Sequence, residues 1–177
     1  MLKRKVLVKG INNLSDARYC AGMGVNFICF DLDPNNKNTL PFEKIKEIKN
    51  WLVGISIGVD ISNFEGTEKV DLKEIEPDFL IVNDNQVDWM GDEIPFFIEN
   101  SNDKSSAGNV IVKDIDENQY GSLTDKHYVE NRWDENSISQ LLLKDQPFGI
   151  VLQGGDESRP GFSDYGDLME ILELLED

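Results

Sequence analysis

The sequence predicts an α/β fold, a small (β/α)8 TIM-type barrel, from three observations. Short apolar, β-rich segments recur along the chain, helix-type patterns lie between several of them, and the length suits one domain. The segments are Val6–Lys9, Phe27–Phe30, Val53–Val59, Phe79–Val82, Phe96–Ile98, Val110–Val112, His127–Val129 and Gly149–Leu152, eight in all. Strands that alternate with helices pair in parallel, and eight of them within 177 residues suggest closure into one barrel domain spanning residues 1–177.

The helices have recognisable starts. Asn13-Leu14-Ser15-Asp16 opens one that runs through Met23 and closes at Gly24, and Pro41 stands at the head of Phe42–Leu52. A third covers Asp134–Leu143, and Tyr165–Leu175 carries Leu168, Ile171, Leu172 and Leu175 on one face. Between the fourth and seventh strands the pattern weakens. Asn85–Ile94, Asn100–Asn109 and Glu117–Lys126 are rich in Asn, Asp, Ser and Gly, which predicts shortened or missing helices after strands 4, 5 and 6. Trp89, Met90 and Tyr120 on this thin flank would act as apolar plugs or form a partner surface.

Charge and cysteine content narrow the function. The formal net charge is −17, with 34 acidic against 17 basic residues, which disfavours nucleic acid and anionic membranes as partners. No apolar run approaches the roughly 20 residues of a membrane helix, and the basic opening Met1-Leu2-Lys3-Arg4-Lys5 precedes too short an apolar stretch for a secretory signal. Cys20 and Cys29 match no zinc or redox spacing, and a reducing cytoplasm is the expected compartment. His127 is the only histidine and has no metal-ligand spacing around it, so no metal site is expected and it reads as a strand-start residue. Asp31, Asp33, Asp60 and Asp84 fall near strand C-termini, where helix capping and turn formation account for them ahead of cation binding.

Motifs at the two ends carry a family resemblance. Leu7-Val8-Lys9-Gly10-Ile11-Asn12-Asn13-Leu14-Ser15-Asp16-Ala17 resembles the opening Lys-Ile-Cys-Gly-Ile-Thr-Asn-x-x-Asp-Ala of the phosphoribosylanthranilate isomerases. Gly24-Val25-Asn26-Phe27-Ile28-Cys29-Phe30, with Pro34 behind it, is similar to that family's second strand and proline loop. Asp134-Glu135-Asn136 resembles its Pro-Glu-Asn helix start. Glu157-Ser158-Arg159-Pro160-Gly161-Phe162-Ser163-Asp164 resembles its Glu-x-x-Pro-Gly-x-Lys-Asp signature. The resemblance implies an aldose-ketose type isomerase of tryptophan biosynthesis. Its Amadori rearrangement needs no cofactor and uses a cysteine base after strand one and an aspartate acid after strand six.

The same resemblance shows what has changed. The cysteine position holds Lys9, and strand alternation turns Lys9 toward the barrel mouth, in phase with Leu7. An ammonium serves as a base, or as a Schiff-base amine, only if its pKa falls by about three units from ~10.4. The more direct reading is an ion pair with Asp60 or Asp114 that fills a vacated pocket. The acid position falls on Asp114, although a one-residue slip would turn Lys113 inward instead. The carboxylate-binding arginine falls on Asn38, beside Lys37, and Glu157 belongs to the implied substrate-binding set.

Gly154 and Gly155 are the implied phosphate-binding glycines, either through free backbone N–H groups and the N-terminus of the helix behind them, or simply as a turn needing positive φ. The paired glycines after strand seven are replaced by Glu130-Asn131, whose carboxylate would oppose a phosphate unless Arg132 or Arg159 compensates. The expected protein is therefore a catalytically degenerate relative, monomeric or homodimeric, that binds a small anionic, phosphorylated or sugar-like ligand. The alternatives are a working isomerase and a non-catalytic interaction barrel.

Overall fold

The computed structural model describes residues 1–63, 72–87, 94–99, 108–159, 162–164 and 166–176. Eight strands form a closed barrel in chain order: β1 (Val6–Lys9), β2 (Phe27–Asp31), β3 (Ser56–Asp60), β4 (Phe79–Asn83), β5 (Phe96–Glu99), β6 (Asn109–Lys113), β7 (His127–Glu130) and β8 (Gly149–Gln153). All neighbours are parallel, and β8 closes on β1 through the register Val6↔Ile150 to Lys9↔Gln153. Around them lie α1 (Leu14–Gly22), α2 (Phe42–Trp51), α3 (Glu135–Leu142) and α4 (Gly166–Leu175).

The period-two alternation of each strand divides the core in two. Outward residues such as Val8, Ile28, Val59, Val82, Ile98 and Ile150 share a cluster with Ile45, Ile138, Leu168 and Leu172 from α2, α3 and α4. Inward residues form a second cluster of Leu7, Cys29, Phe79, Ile81, Phe97, Ile111, Tyr128 and Val151, with Phe27 packed against it. Its floor is aromatic: Phe27, Phe79, Phe97 and Tyr128 meet edge to face, with ring centroids 5.0 to 6.0 Å apart. Such contacts add about 0.5–1.5 kcal/mol per pair beyond burial. Gly58 makes room for this layer, because a Cβ there would lie 2.3 Å from the Phe79 ring.

Local chemistry explains the ends of the elements. The Asn13 side chain accepts from the Asp16 N–H at 2.9 Å and caps α1. Asp134 does the same for α3 by accepting from the Ser137 N–H at 2.8 Å. His127 serves the start of β7, its Nδ1 accepting from the Thr124 N–H at 3.0 Å. Cys20 and Cys29 are free and buried.

Three features differ from, or refine, the sequence reading. The third strand begins at Ser56 rather than Val53, which is 91% exposed in the turn before it. The segment after β8 does not enter a helix directly. Asp156–Arg159 (β9) and Phe162–Asp164 (β10) pair antiparallel, and α4 runs from Gly166. After β6 a 3-10 turn, Glu117–Ser122, replaces an α-helix, and Tyr120 within it is buried edge to face against Phe148 at 5.0 Å. Tyr120 thus plugs that part of the flank, while Trp89 and Met90 lie outside the described residues. No described helix is long and apolar enough to cross a membrane.

Candidate functional site at the barrel mouth

The apolar interior ends one step below the C-terminal edge of the barrel. Two residues beyond Leu7, Cys29, Gly58, Ile81, Phe97, Ile111, Tyr128 and Val151, alternation brings Lys9, Asp31, Asp60, Asn83, Glu99, Lys113, Glu130 and Gln153 into one inward layer. Every strand therefore ends on a polar or charged side chain. Most of these residues line a mouth cavity of about 1120 Å³, which also reaches Lys37, Asn38, Asp114, Trp133, Gly154, Gly155 and Asp167.

Lys9 is the centre of this layer. Its Nζ donates to Glu99 Oε1 and lies 3.4 Å from Asp60 Oδ2 and 3.6 Å from Glu130 Oε2. Lys113 completes the lattice, 3.0 Å from Glu99 Oε1 and 3.7 Å from Glu130 Oε2. Asp60 Oδ1 accepts from the Ser62 hydroxyl at 2.6 Å and the Ser62 N–H at 3.0 Å. Glu130 Oε1 accepts from Gln153 Nε2 at 2.6 Å, while its buried Oε2 lies 3.6 Å from Lys9 Nζ and 3.7 Å from Lys113 Nζ and receives no hydrogen bond among the described residues.

The lattice sets the protonation states. Burial by itself would lower the Lys9 pKa, but Asp60, Glu99 and Glu130 together outweigh it and raise Lys9 above its ordinary value. Lys9 is therefore held as an ammonium at neutral pH. Burial likewise opposes ionisation of Glu99, yet Lys9 and Lys113 prevail and draw its pKa below the usual carboxylate range. Asp60 goes the other way: desolvation exceeds the help it receives from Lys9 and Ser62, and its pKa is raised. Cys29, one layer below, is fully buried, and desolvation followed by Asp60 keeps its thiol well above the ordinary value. No thiolate is available there to replace the cysteine missing from β1.

The remaining sequence candidates can be placed. Of the two carboxylates expected near Lys9, Asp60 is in contact and Asp114 is not. β6 ends at Lys113, which points into the mouth, whereas Asp114 follows with a left-handed φ of 50° and sits exposed at the rim, its N–H donating to the Glu130 carbonyl at 3.1 Å. Lys37 and Asn38 lie on the loop after β2, shaped by turns in which Asp31 accepts from the Asp33 N–H (2.7 Å) and Asn36 Nδ2 (2.6 Å). Asp31 and Asp33 thus act in turn formation. The side chains of Glu157 and Arg159 lie outside the described residues.

Gly154 is tightly built in. Its N–H donates to the Lys9 carbonyl at 2.7 Å, and a Cβ at this position would lie 2.9 Å from the Gly10 carbonyl oxygen. The glycine is required by that close approach rather than by a positive φ, and its N–H is already committed. Gly155 accepts at its carbonyl from Asn12 Nδ2 at 3.5 Å. A phosphate oxygen about 4 Å from Glu130 would meet a repulsion of ~4 kcal/mol per unit charge at an effective ε of 20.

Sequence reasoning overlooked Glu99, Ser62 and Gln153. The signal for Glu99 was present, since it stands in phase with Phe97 in Phe96-Phe97-Ile98-Glu99. A segment bounded at its last apolar residue hides such a group.

No family model matches the sequence, and no curated protein matches it. Solved structures do match its fold. A phosphoribosyl anthranilate isomerase in complex with reduced 1-(o-carboxyphenylamino)-1-deoxyribulose 5-phosphate superposes with a TM-score of 0.78 at 15% identity, over 97% of this chain and 98% of that one. The isomerase of Thermus thermophilus gives 0.76 at 14% identity with the same coverage. Monomers generated from the dimeric isomerase of Thermotoga maritima give 0.75 at 15%, again over 97% and 98%. The chain therefore has the phosphoribosylanthranilate isomerase-like barrel that its terminal motifs suggested.

Proposed function

We propose that this chain is a single-domain pseudoenzyme barrel, spanning residues 1–177, that has lost the Amadori rearrangement and keeps its mouth as a pocket for a small ligand. One observation carries the reading: the side chain at the general-base position is Lys9, buried among three carboxylates that hold it cationic. A base must accept a proton from the substrate carbon, and an ammonium has no lone pair with which to do so. The acid position is weakened too, because Lys113 joins the ion pairs of the mouth while Asp114 stays exposed at its rim. A link to tryptophan biosynthesis is then one of descent. The two free, buried cysteines suit a reducing cytoplasm. The likeness to a dimeric isomerase makes a homodimer as reasonable as a monomer.

The test is a turnover assay with phosphoribosylanthranilate, paired with calorimetric titration of the reduced product analogue held by the isomerase structure above. The expected result is no turnover and no saturable heat. Turnover that disappears in Asp114→Ala would establish a working isomerase and overturn the proposal.

A further inference from the structure

The two ends of the barrel differ in what they leave exposed. The mouth is lined mainly by polar and charged groups, whereas the opposite end, where the chain turns into each strand, carries bare apolar side chains. Among the described residues the large hydrophobic side chains left exposed are Met1 (93%), Val53 (91%), Leu143 (86%) and Trp51 (70%). All of them fall at this strand-entry end: Met1 precedes β1, Trp51 closes α2, Val53 lies in the turn into β3, and Leu143 caps α3 ahead of β8. One such side chain on a surface is ordinary, but several gathered at one end mark a contact face.

A net charge of −17 repels a second copy of the chain over most of its surface, so self-association needs a face with charges of both signs. This end has them in separate sectors. The turn into β1 holds Lys3, Arg4 and Lys5, with Glu176 beside them through the bridge of Leu2 to that residue. The turn into β4 holds Glu76 and Asp78, both exposed, with Lys49 3.7 Å from Asp78 Oδ1. The first sector is net positive and the second net negative.

When two identical ends meet across a two-fold axis, the circle of strands on one runs opposite to that on the other, so pairing one turn fixes the rest. Setting the basic turn of β1 on the acidic turn of β4 puts β2 on β3 and β8 on β5, each pair occurring twice. Those pairs are apolar. The half-buried Met23 before β2 meets Val53 before β3, and Leu143 before β8 meets the half-buried Ile94 and exposed Pro95 before β5. Lys144 and Asp145, next to Leu143, cancel in charge, as do Asp125 and Lys126 before β7, which meet Gly108 before β6. Ionic and apolar sectors therefore match in a single register, the self-complementarity that an isologous interface requires.

We propose that the strand-entry end of the barrel binds a second copy of this chain in a two-fold dimer, with the β1 turn of each copy on the β4 turn of the other. Both mouths then face outward and stay open. The proposal is thus independent of what the pocket holds and of whether catalysis survives.

Sedimentation equilibrium and light scattering on the full chain test it. At micromolar concentration the expected mass is twice that of one chain. Val53→Asp and Leu143→Asp, each at an exposed side chain that folding does not need, should weaken the dimer by about tenfold apiece with the far-UV circular dichroism unchanged. Lys5→Glu should weaken it about as much, and Lys5→Glu combined with Glu76→Lys should restore it, because the exchanged charges meet twice across the axis. A monomer at these concentrations, a dimer indifferent to both aspartate substitutions, or a charge exchange that fails to restore association would each overturn the proposal.

Discussion

The lower and upper halves of the barrel interior are built on opposite principles from the same eight strands. Below, Phe27, Phe79, Phe97 and Tyr128 fill the space with rings that carry a single hydroxyl, that of Tyr128, among them. Above, Lys9, Asp60, Glu99, Lys113 and Glu130 fill it with charges that are tolerable only because each has partners. The floor is stable by burial alone, whereas the upper layer depends on every member being present.

That contrast can be broken by substitution. Phe97→Ala, in the middle of the floor, should cost about 4 kcal/mol in urea unfolding, through lost burial and a residual cavity. Lys9→Met should cost about 3 kcal/mol, because it leaves Asp60 without an ammonium and Glu99 and Glu130 to share Lys113, rather than because the ion pairs are strongly stabilising. If Lys9→Met were neutral while Phe97→Ala was not, the upper layer would have no structural role. Gly58→Ala should cost about 2 kcal/mol, since the added methyl would sit 2.3 Å from the Phe79 ring and force the floor to move.

The pH dependence sharpens the comparison further. Lys9 has a raised folded pKa, so its contribution is complete below the unfolded value of 10.5 and is lost as pH rises through the folded value. Glu99 has a lowered folded pKa, so its contribution is present above 4.5 and is lost as pH falls through the folded value. Asp60, with its raised pKa, has the opposite sign to Glu99 and partly offsets that acid loss. Urea midpoints of wild type and Lys9→Met measured from pH 7 to 11.5 should converge above pH 10.5. A constant difference would mean that Lys9 acts by packing and not by charge. The smallest effect belongs to Ser62→Ala, about 1 kcal/mol, which removes the hydroxyl bond to Asp60 and should push the Asp60 pKa higher still in an NMR titration.

The floor was easier to read in the sequence than the layer above it. Apolar runs located all eight strands, and the caps at Asn13 and Asp134 located two helix starts, because burial and capping act through nearest neighbours in the chain. The same criterion ended seven strands one residue early, at Phe30, Val59, Val82, Ile98, Val112, Val129 and Leu152. The residue left off each time was the inward polar one. Glu99 stands 90 positions after Lys9 in the chain, a pairing that no local pattern encodes. The choice between Lys113 and Asp114 likewise turned on where β6 ends, and the left-handed φ of Asp114 is a property of the turn, not of the strand.

The polar ring also has a consequence for how the barrel finds its alignment. Sliding β5 by two residues relative to its neighbours would keep the alternation intact but drop Glu99 to the level of Phe97, among aromatic rings and away from both lysines. An unpartnered ion there costs several kcal/mol, and the same penalty awaits Lys9, Lys113 or Glu130. The charges thus act as an end stop against which neighbouring strands seat, so that even an empty pocket would leave them with work to do in specifying a single alignment.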